Sequence, residues 1–239
     1  MANEPRYGTP NAPYIASWFQ LEEDGPMWAL NLMKYREVAD YADGRESNLT
    51  GQEADDAYAP LGPLAAVGAR VVFVGQVAGQ LRGDDTEWDR IGVVLYPRRR
   101  ALIEMNQRED FQELHAHKDA GMERTIVVAS FPSKGEPLPM DVPSAVGTDQ
   151  RVLLQVVADA SADDLASGIE ATRIARFDIE GWILGDNREW AEARWDLISR
   201  ETAEALVASE SAADSAGYTV VLTPTIDTIA ASVVEPLPA

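Results

Sequence analysis

One order of elements occurs twice in this chain, and that repetition limits the available folds more than any single motif does. Between the copies lies PSKGEPLPMDVPSAVGTDQ (132–150), whose four prolines and two glycines read as a linker or a long connection. On its first side, Met27 to Tyr35 reads as a strand. A helix opens at Gly51, with Ala54, Ala57, Tyr58, Leu61 and Leu64 at three- and four-residue spacing. Pro60 and Pro63 should bend or restart it, and Gly68 should stop it. A strand begins at Val71, Gly83-Asp84-Asp85 signals a turn, and Trp88 to Tyr96 is the next strand. Residues 98–121 read as helix, broken near Arg108, and Arg124 to Phe131 as a strand.

On the second side, Val152 to Val157 reads as a strand. Ser161, with Asp163 and Asp164 behind it, reads as the cap of a helix running to about Arg176. Phe177–Leu184 and Trp190–Ile198 read as a hairpin, Ser199–Ser209 as a helix and Tyr218–Leu222 as a strand. Both sides are therefore β-α-β-β-α-β, the ferredoxin-like split unit, and the fold class is α+β. Such a unit covers one sheet face with helices, so two units can cover each other's bare faces. The expected division is an N-terminal arm (1–25), a first unit with the candidate pocket (26–140), and a second unit with a C-terminal tail (141–239). Residues 224–239 are left over as a second arm.

Charge narrows the function. The chain has 40 acidic and 20 basic residues among 239, a formal charge of -20. Only Lys34, Lys118 and Lys134 are lysines, and none lies in the second unit. This balance argues against nucleic acid and against an anionic membrane surface, and predicts a self-repelling, soluble surface. Without cysteine there is no disulfide, thiolate metal site or thiol nucleophile. No signal-like segment or bilayer-length apolar run is present, so the cytoplasm is the default expectation. The phosphate-loop, dinucleotide and nucleophile-elbow motifs are absent.

Three stretches of the first unit carry a resemblance. They are NLMKYREVADYADGRES, ADDAYAPLGPLAAVGARVVFVGQV and WDRIGVVLYPRRRALIEMNQREDFQELHAHKDAGMERTIVVASF. A strand, a Tyr-bearing helix ending at a Gly-Ala turn, a hairpin and then "YP-R-R-ALIEM…DF" before the second helix is similar to a small, uncharacterised branch of the dimeric α/β-barrel superfamily. The second unit resembles it only in element order. Members usually pair two chains sheet to sheet, so a tandem copy implies a pseudo-dimeric barrel within one chain, as a monomer or a further homodimer. The resemblance also implies a pocket between the sheet and its helices. Relatives include cofactor-free monooxygenases of aromatic polyketides, muconolactone-type isomerases, haem-degrading monooxygenases and haem-dependent peroxidases, and fold does not choose among them.

The only histidines, His115 and His117, stand two apart on one helix. They point about 200° apart, so one metal ion cannot readily take both. Phe111, Leu114 and Met122 mark the apolar face; His115 and Lys118 lie beside it and His117 off it. His115 is the candidate general acid/base, with Asp119 four residues on to orient it. His117 has Glu113 for a surface pair. On the first strand Asn31 and Tyr35 share a face, Asn31 as a polar anchor or a structural bond. Trp88 and Tyr96 should share a face of the third strand, and Tyr58 can present its hydroxyl to the same interior. Tyr58, Trp88, Tyr96, Tyr35, Lys118 and Met122 are thus the candidate binding residues for a small apolar molecule, and His115, Asp119 and Asn31 the catalytic ones, with no metal and no cofactor. Pro97-Arg98-Arg99-Arg100 reads either as paired with nearby acids or as an anion-binding mouth. The expected activity is cofactor-free oxygenation, isomerisation or cyclisation of an apolar cyclic or aromatic substrate; the alternative is a non-catalytic binding or structural protein. Haem is a further alternative: haem-degrading relatives use an Asn, a Trp and a His on the elements that carry Asn31, Trp88 and His115, although the Trp-to-His separation here is longer.

Overall fold

The structure, a computed structural model, describes residues 5–137, 139–209, 212–213 and 217–236. The first strand to form a wall is β2 (Met27–Tyr35), in the register read from the sequence. Its apolar residues alternate because the strand separates two cores. Trp28, Leu30 and Leu32 belong to one buried cluster, while Met27, Ala29, Met33 and Tyr35 belong to another. The chain continues through α2 (Gly51–Tyr58), α3 (Leu61–Ala66), β3 (Arg70–Gly83) and β4 (Arg90–Tyr96), then α4 (Arg99–Asn106), α5 (Glu109–Gly121) and β5 (Met122–Pro132). Pro60 stands at the N-terminus of α3 and so restarts the helix as expected. Gly68 ends the α3 turn at φ +72°, a conformation open to glycine. Arg108 occupies the break between α4 and α5.

The later strands are β6 (Gln150–Val157), β7 (Ala171–Gly185), β8 (Glu192–Ser199) and β10 (Gly217–Asp227), with α6 (Arg200–Ala208) between β8 and β10. Two-residue strands β1 (Thr9–Pro10) and β9 (Ala212–Ala213) pair with β7 and β3, and short helices α1 (Ala12–Ser17) and α7 (Ile229–Val234) stand near the chain ends. Eight strands close a ring in the order β7-β5-β2-β4-β3-β10-β6-β8, with β8 pairing back onto β7. Every neighbouring pair in the ring is antiparallel. Within each side of the chain the strands lie in the order fourth, first, third, second. The seams between sides are β5 with β7 and β3 with β10.

The barrel interior is filled with side chains. Trp28, Leu30, Leu32, Phe73, Ile91, Val93 and Leu95 meet Leu154, Phe177, Trp195, Tyr218 and Leu222 from the other side. Phe73 and Trp195 stack edge to face at 4.9 Å, across the line between the sides.

Three expectations need correction. The helix expected over 161–176 is a four-residue 3-10 turn, Leu165–Gly168, followed at once by β7. The capping expected of Ser161 falls to Asp164, which accepts the N–H of Ala166 at 3.1 Å. The helix signal loses because Ala175, Phe177 and Ile179 alternate into the barrel while Arg173, Arg176 and Asp178 face out, after a bulge between Arg173 and Ala175. The tail is also no loose arm. β10 runs to Asp227, and Ile229 and Ala230 of α7 join the barrel core. Trp28 donates its indole N–H to Ser232 at 2.8 Å, which ties α7 over that end of the barrel. Likewise the N-terminal stretch is packed: Trp18 is fully buried, and Thr125 donates its N–H to the Tyr7 carbonyl at 2.8 Å. Residues 1–4 and 237–239 of the expected arms lie outside the described residues.

Candidate functional site

The outer face of the first side's sheet is where titratable groups gather without full compensation. Helices α2 to α5 lie over β2, β4 and β5, and Tyr35, Tyr96, Met105, Phe111 and Met122 are buried in the layer between. α2 and α5 touch through glycine: a Cβ on Gly51 would lie 2.4 Å from the Gly121 carbonyl oxygen. That close crossing sets the α5 face that carries His115 and Lys118 against Tyr58 of α2.

His115 is surrounded by rings. Phe111 lies 5.5 Å away, Tyr7 6.1 Å and Tyr58 6.3 Å, centroid to centroid. Its Nε2 shares a hydrogen bond of 2.8 Å with the Tyr7 hydroxyl. Burial, and secondarily the charge of Lys118, pushes the imidazole down to about 4, against an opposing pull from Asp119. Burial, then Asp119 and Asp55, raises the Tyr7 phenol, so it keeps its proton. With the phenol protonated and the imidazole neutral, the tautomer of His115 sets the direction of this bond: Nε2 accepts from Tyr7 when the ring proton is on Nδ1 and donates to it when the proton is on Nε2.

Lys118 extends its amine over the Tyr58 ring at 5.3 Å and the Tyr7 ring at 6.0 Å. No carboxylate lies within ion-pair distance of it among the described residues. Burial pushes its ammonium below the ordinary lysine value, and the more distant Asp55 opposes that shift. Asp55 is itself taken up, accepting from the Tyr35 hydroxyl at 2.7 Å and from Arg90 at 2.9 Å. Burial and then Asp55 raise the Tyr35 phenol, and burial raises those of Tyr58 and Tyr96.

The layer thus brings together His115, Tyr58, Lys118 and, through Asp55, Tyr35. Tyr96 sits deeper, its hydroxyl 3.8 Å from Met105 Sδ, and Met122 is buried where α5 passes into β5. Tyr7, which completes the set, was not among the residues singled out. It sits ahead of the first predicted element, and the signal was faint: Gly8 behind it allows a close approach, since a Cβ there would stand 3.0 Å from the Thr125 carbonyl oxygen.

Other expected residues stand elsewhere. Asp119 does not orient His115 by a hydrogen bond: its carboxylate accepts from the Arg6 backbone N–H at 3.1 Å and side chain at 2.7 Å. His117 meets the Tyr41 hydroxyl at 2.7 Å through Nδ1 instead of pairing with Glu113. Asn31 donates to the carbonyl of Ala29 at 2.9 Å, a bond within its own strand. Trp88 lies inside the barrel, 5.3 Å from the Tyr218 ring, and so on the far side of the sheet from Tyr96 and His115. β4 begins at Arg90, so strand alternation does not reach back to Trp88. The Asn, Trp and His that prompt the haem alternative do not face one pocket, since the sheet separates Trp88 from His115. Pairing absorbs the basic run. Arg98 meets Glu104 at 2.8 Å, Arg99 meets Glu180, and Arg100 meets Asp24 at 3.1 Å. Burial works against the Asp24 carboxylate, yet the N–H groups of Arg99 and Arg100 at the start of α4 hold it below its ordinary value.

The Trp88 end of the barrel is closed by charge. Tyr218 donates to Asp84 at 2.7 Å and receives Arg188 at 2.6 Å, while Asp186 takes Arg188 at 2.8 Å and also Arg124. Arg188 lies 5.0 Å over the Trp190 ring and Arg124 5.7 Å over that of Trp88. Every charge there has a partner, which makes this a seal between the two sides. Two open clefts of about 460 Å³ each lie on the surface, one at Arg108, Glu109, Asp110 and Glu113, the other along Lys34–Glu37, Thr50, Gln52, Asp89 and Glu123. Neither reaches His115. Among the described residues no cluster of three potential ligands could hold a metal ion, and no helix is long and apolar enough to cross a membrane.

No family model matches the chain, and no curated protein matches it. Among solved structures, it is similar to a methylated form of the protein RPA0582, with 30% identity, 57% of this chain and 100% of that chain covered, and a TM-score of 0.49. Another structure of RPA0582, a protein of unknown function from Rhodopseudomonas palustris, matches at 29% identity over 54% of this chain and 98% of that one, with a TM-score of 0.47. A candidate monooxygenase from Lactobacillus acidophilus NCFM matches at 12% identity over 84% and 94%, with a TM-score of 0.39.

Proposed function

We propose that this protein is a metal-independent small-molecule enzyme that moves a proton on an apolar cyclic or aromatic substrate held between the first side's sheet and helices α2 and α5. The observation that carries this reading is the Tyr7–His115 pair: an imidazole kept neutral in a ring-lined layer, sharing a hydrogen bond of 2.8 Å with a phenol, which we take in the tautomer whose Nε2 accepts. A substrate proton taken by the Tyr7 oxygen passes on to His115 Nε2, so the pair acts as one relay, in an oxygenase-, isomerase- or cyclase-like step. The rings over His115 are closed, so a substrate enters as the N-terminal stretch carrying Arg6 and Tyr7 lifts. We read the two sides as copies of one split unit, 26–140 and 141–239, forming a pseudo-dimer in which the second copy has exchanged its first helix for a 3-10 turn.

A second reading, a non-catalytic protein, draws support from the filled barrel interior and from the rings packed against His115. Native mass spectrometry of the purified protein, before and after denaturation, separates the two. The enzyme reading expects a retained cyclic compound, or failing that a shift of the His115 ring resonances on adding aromatic compounds, lost in Tyr58→Ala. A clean apo mass together with an unmoved His115 across such compounds would favour the filled, non-catalytic reading.

A further inference from the structure

The relay leaves one reactive group unused. Lys118 stands one helical turn after His115, on the same face of α5, with its amine above two tyrosine rings and no carboxylate to hold it as an ion pair. Its siblings are ordinary. Lys34 pairs with Asp89 at 3.3 Å, and Lys134 is exposed. Lys118 keeps partial exposure, so it is reachable from water. The groups facing it are Tyr7 from the N-terminal stretch, Tyr58 and Asp55 from α2, and His115 and Asp119 from α5. Of these, both acids already hold arginines, Asp55 with Arg90 and Asp119 with Arg6. The two ring faces and distant Asp55 favour the ammonium, but burial without an ion-pair partner outweighs them and shifts the amine toward its neutral, nucleophilic form.

We propose that Lys118 is a covalent anchor of this site, its ε-amine adding to the carbonyl carbon of an aromatic or cyclic aldehyde or ketone to form an imine. The nitrogen lone pair forms the C–N bond as the carbonyl π bond opens, and the oxygen takes a proton from the Tyr7 hydroxyl. The first N–H proton of the resulting ammonium passes to His115 Nε2 and on to the Tyr7 oxygen, which restores both groups and leaves a neutral carbinolamine. Tyr7 then gives its proton to the departing hydroxyl, releasing one water, and the remaining N–H proton returns through His115 to Tyr7 as the imine forms. Amine plus carbonyl gives imine plus water, with no oxidant or reductant. The inference rests on the relay reading above and narrows its substrate to a carbonyl compound. It also gives the three residues distinct work: Tyr7 and His115 shuttle protons, and Lys118 holds the carbon.

The test is reductive trapping of the full chain with benzaldehyde and cyanoborohydride at neutral pH, followed by peptide mapping. Because the chain has three lysines, each is its own control. The expected result is a benzyl group on Lys118 appearing at least about tenfold faster than on exposed Lys134, because the desolvated amine offers more of its neutral, nucleophilic form and stands beside the proton relay. Lys118→Arg should lose that modification while Lys34 and Lys134 label as before, and its circular dichroism shows whether it folds. Trapping at Lys118 no faster than at Lys134 overturns the proposal. If benzaldehyde still moves the His115 resonances in that case, the relay site stands without a covalent lysine. If it neither traps nor moves them, both readings fall.

Discussion

The same four-strand order is covered in two different ways on the two sides of the barrel. Over the first side lie α2 to α5, and the layer beneath them holds rings, a neutral histidine and an unpaired amine. Over the second side lie α6, the turn around Leu165–Gly168 and, against β7, α1; the layer beneath joins a small apolar cluster of Leu153, Ala166, Ile198, Ala203 and Val221 to a charge lattice. There Arg173 bridges Asp164 at 2.6 Å and Asp196 at 2.7 Å, and Arg176 and Arg194 both hold Glu192. Arg194 also donates to the carbonyls of Ala160 and Ala162, pinning the loop that replaces the missing helix. One cover is ring-lined and leaves titratable groups available; the other adds to a smaller apolar cluster the guanidinium groups of Arg173, Arg176 and Arg194, all taken up in closing it. A fold can thus keep its wall and exchange its covering, and the chemistry goes where the covering is dry but incompletely paired.

Arg194 offers the largest effect by which to break that comparison. It is 2% exposed, and Arg194→Met would leave two loop carbonyls without their donor and leave the Glu192 carboxylate to Arg176 alone. A loss of about 2–5 kcal/mol is expected, mostly from the two buried carbonyls left unsatisfied, at about 1–3 kcal/mol each. Urea denaturation would measure it, and a loss below about 1 kcal/mol would mean that apolar packing, not charge, holds the second cover.

His115 gives the next effect, in the opposite cover. Its ring ionises near 4 when folded against 6.5 otherwise, so the unfolded chain binds more protons between those values. Stability from this group is present in full above about pH 6.5 and falls as pH drops to 4, by about 3 kcal/mol. His115→Gln should flatten that segment of the stability profile once the carboxylates are accounted for by difference. An NMR titration of the ring in the folded protein checks the cause; a midpoint at 6 or above would show a layer wetter than described.

The smallest effect sharpens the picture. Tyr7→Phe keeps the ring and removes its bond to His115, at an expected cost of about 1 kcal/mol. If the cost is no larger than for a surface substitution, the N-terminal stretch is held by Arg6 and β1 and not by its contact with the histidine.

Much of the wall was legible in the sequence, and the coverings were not. Met27–Tyr35 was readable because an apolar strand between two cores is bounded by turn residues on both sides. The break at Arg108 and the restart at Pro60 follow from local chemistry. The helix over 161–176 failed because a serine-and-acid start reads as a cap whether or not a helix follows; the inward alternation of Ala175, Phe177 and Ile179 was the stronger, non-local signal. For the site, helical spacing set His115 and Lys118 beside the apolar face of one helix, and Tyr58 was expected to reach the same interior from another. Tyr7 was not, because nothing near it in sequence says that it returns 108 positions later to meet His115. Trp88 was placed on the wrong side since alternation was extended one turn too far, past the start of β4.

The ring has no free strand, and its two closing seams both join early chain to late chain. Severed near residue 140, each piece would carry two bare backbone edges and an uncovered apolar face, the condition under which chains stick to one another. On the ribosome the first piece meets that condition for as long as the second takes to be made. The long-range pairings needed to end it place this chain among slow folders. Its surplus of acid is then at its most useful, keeping unfinished copies apart.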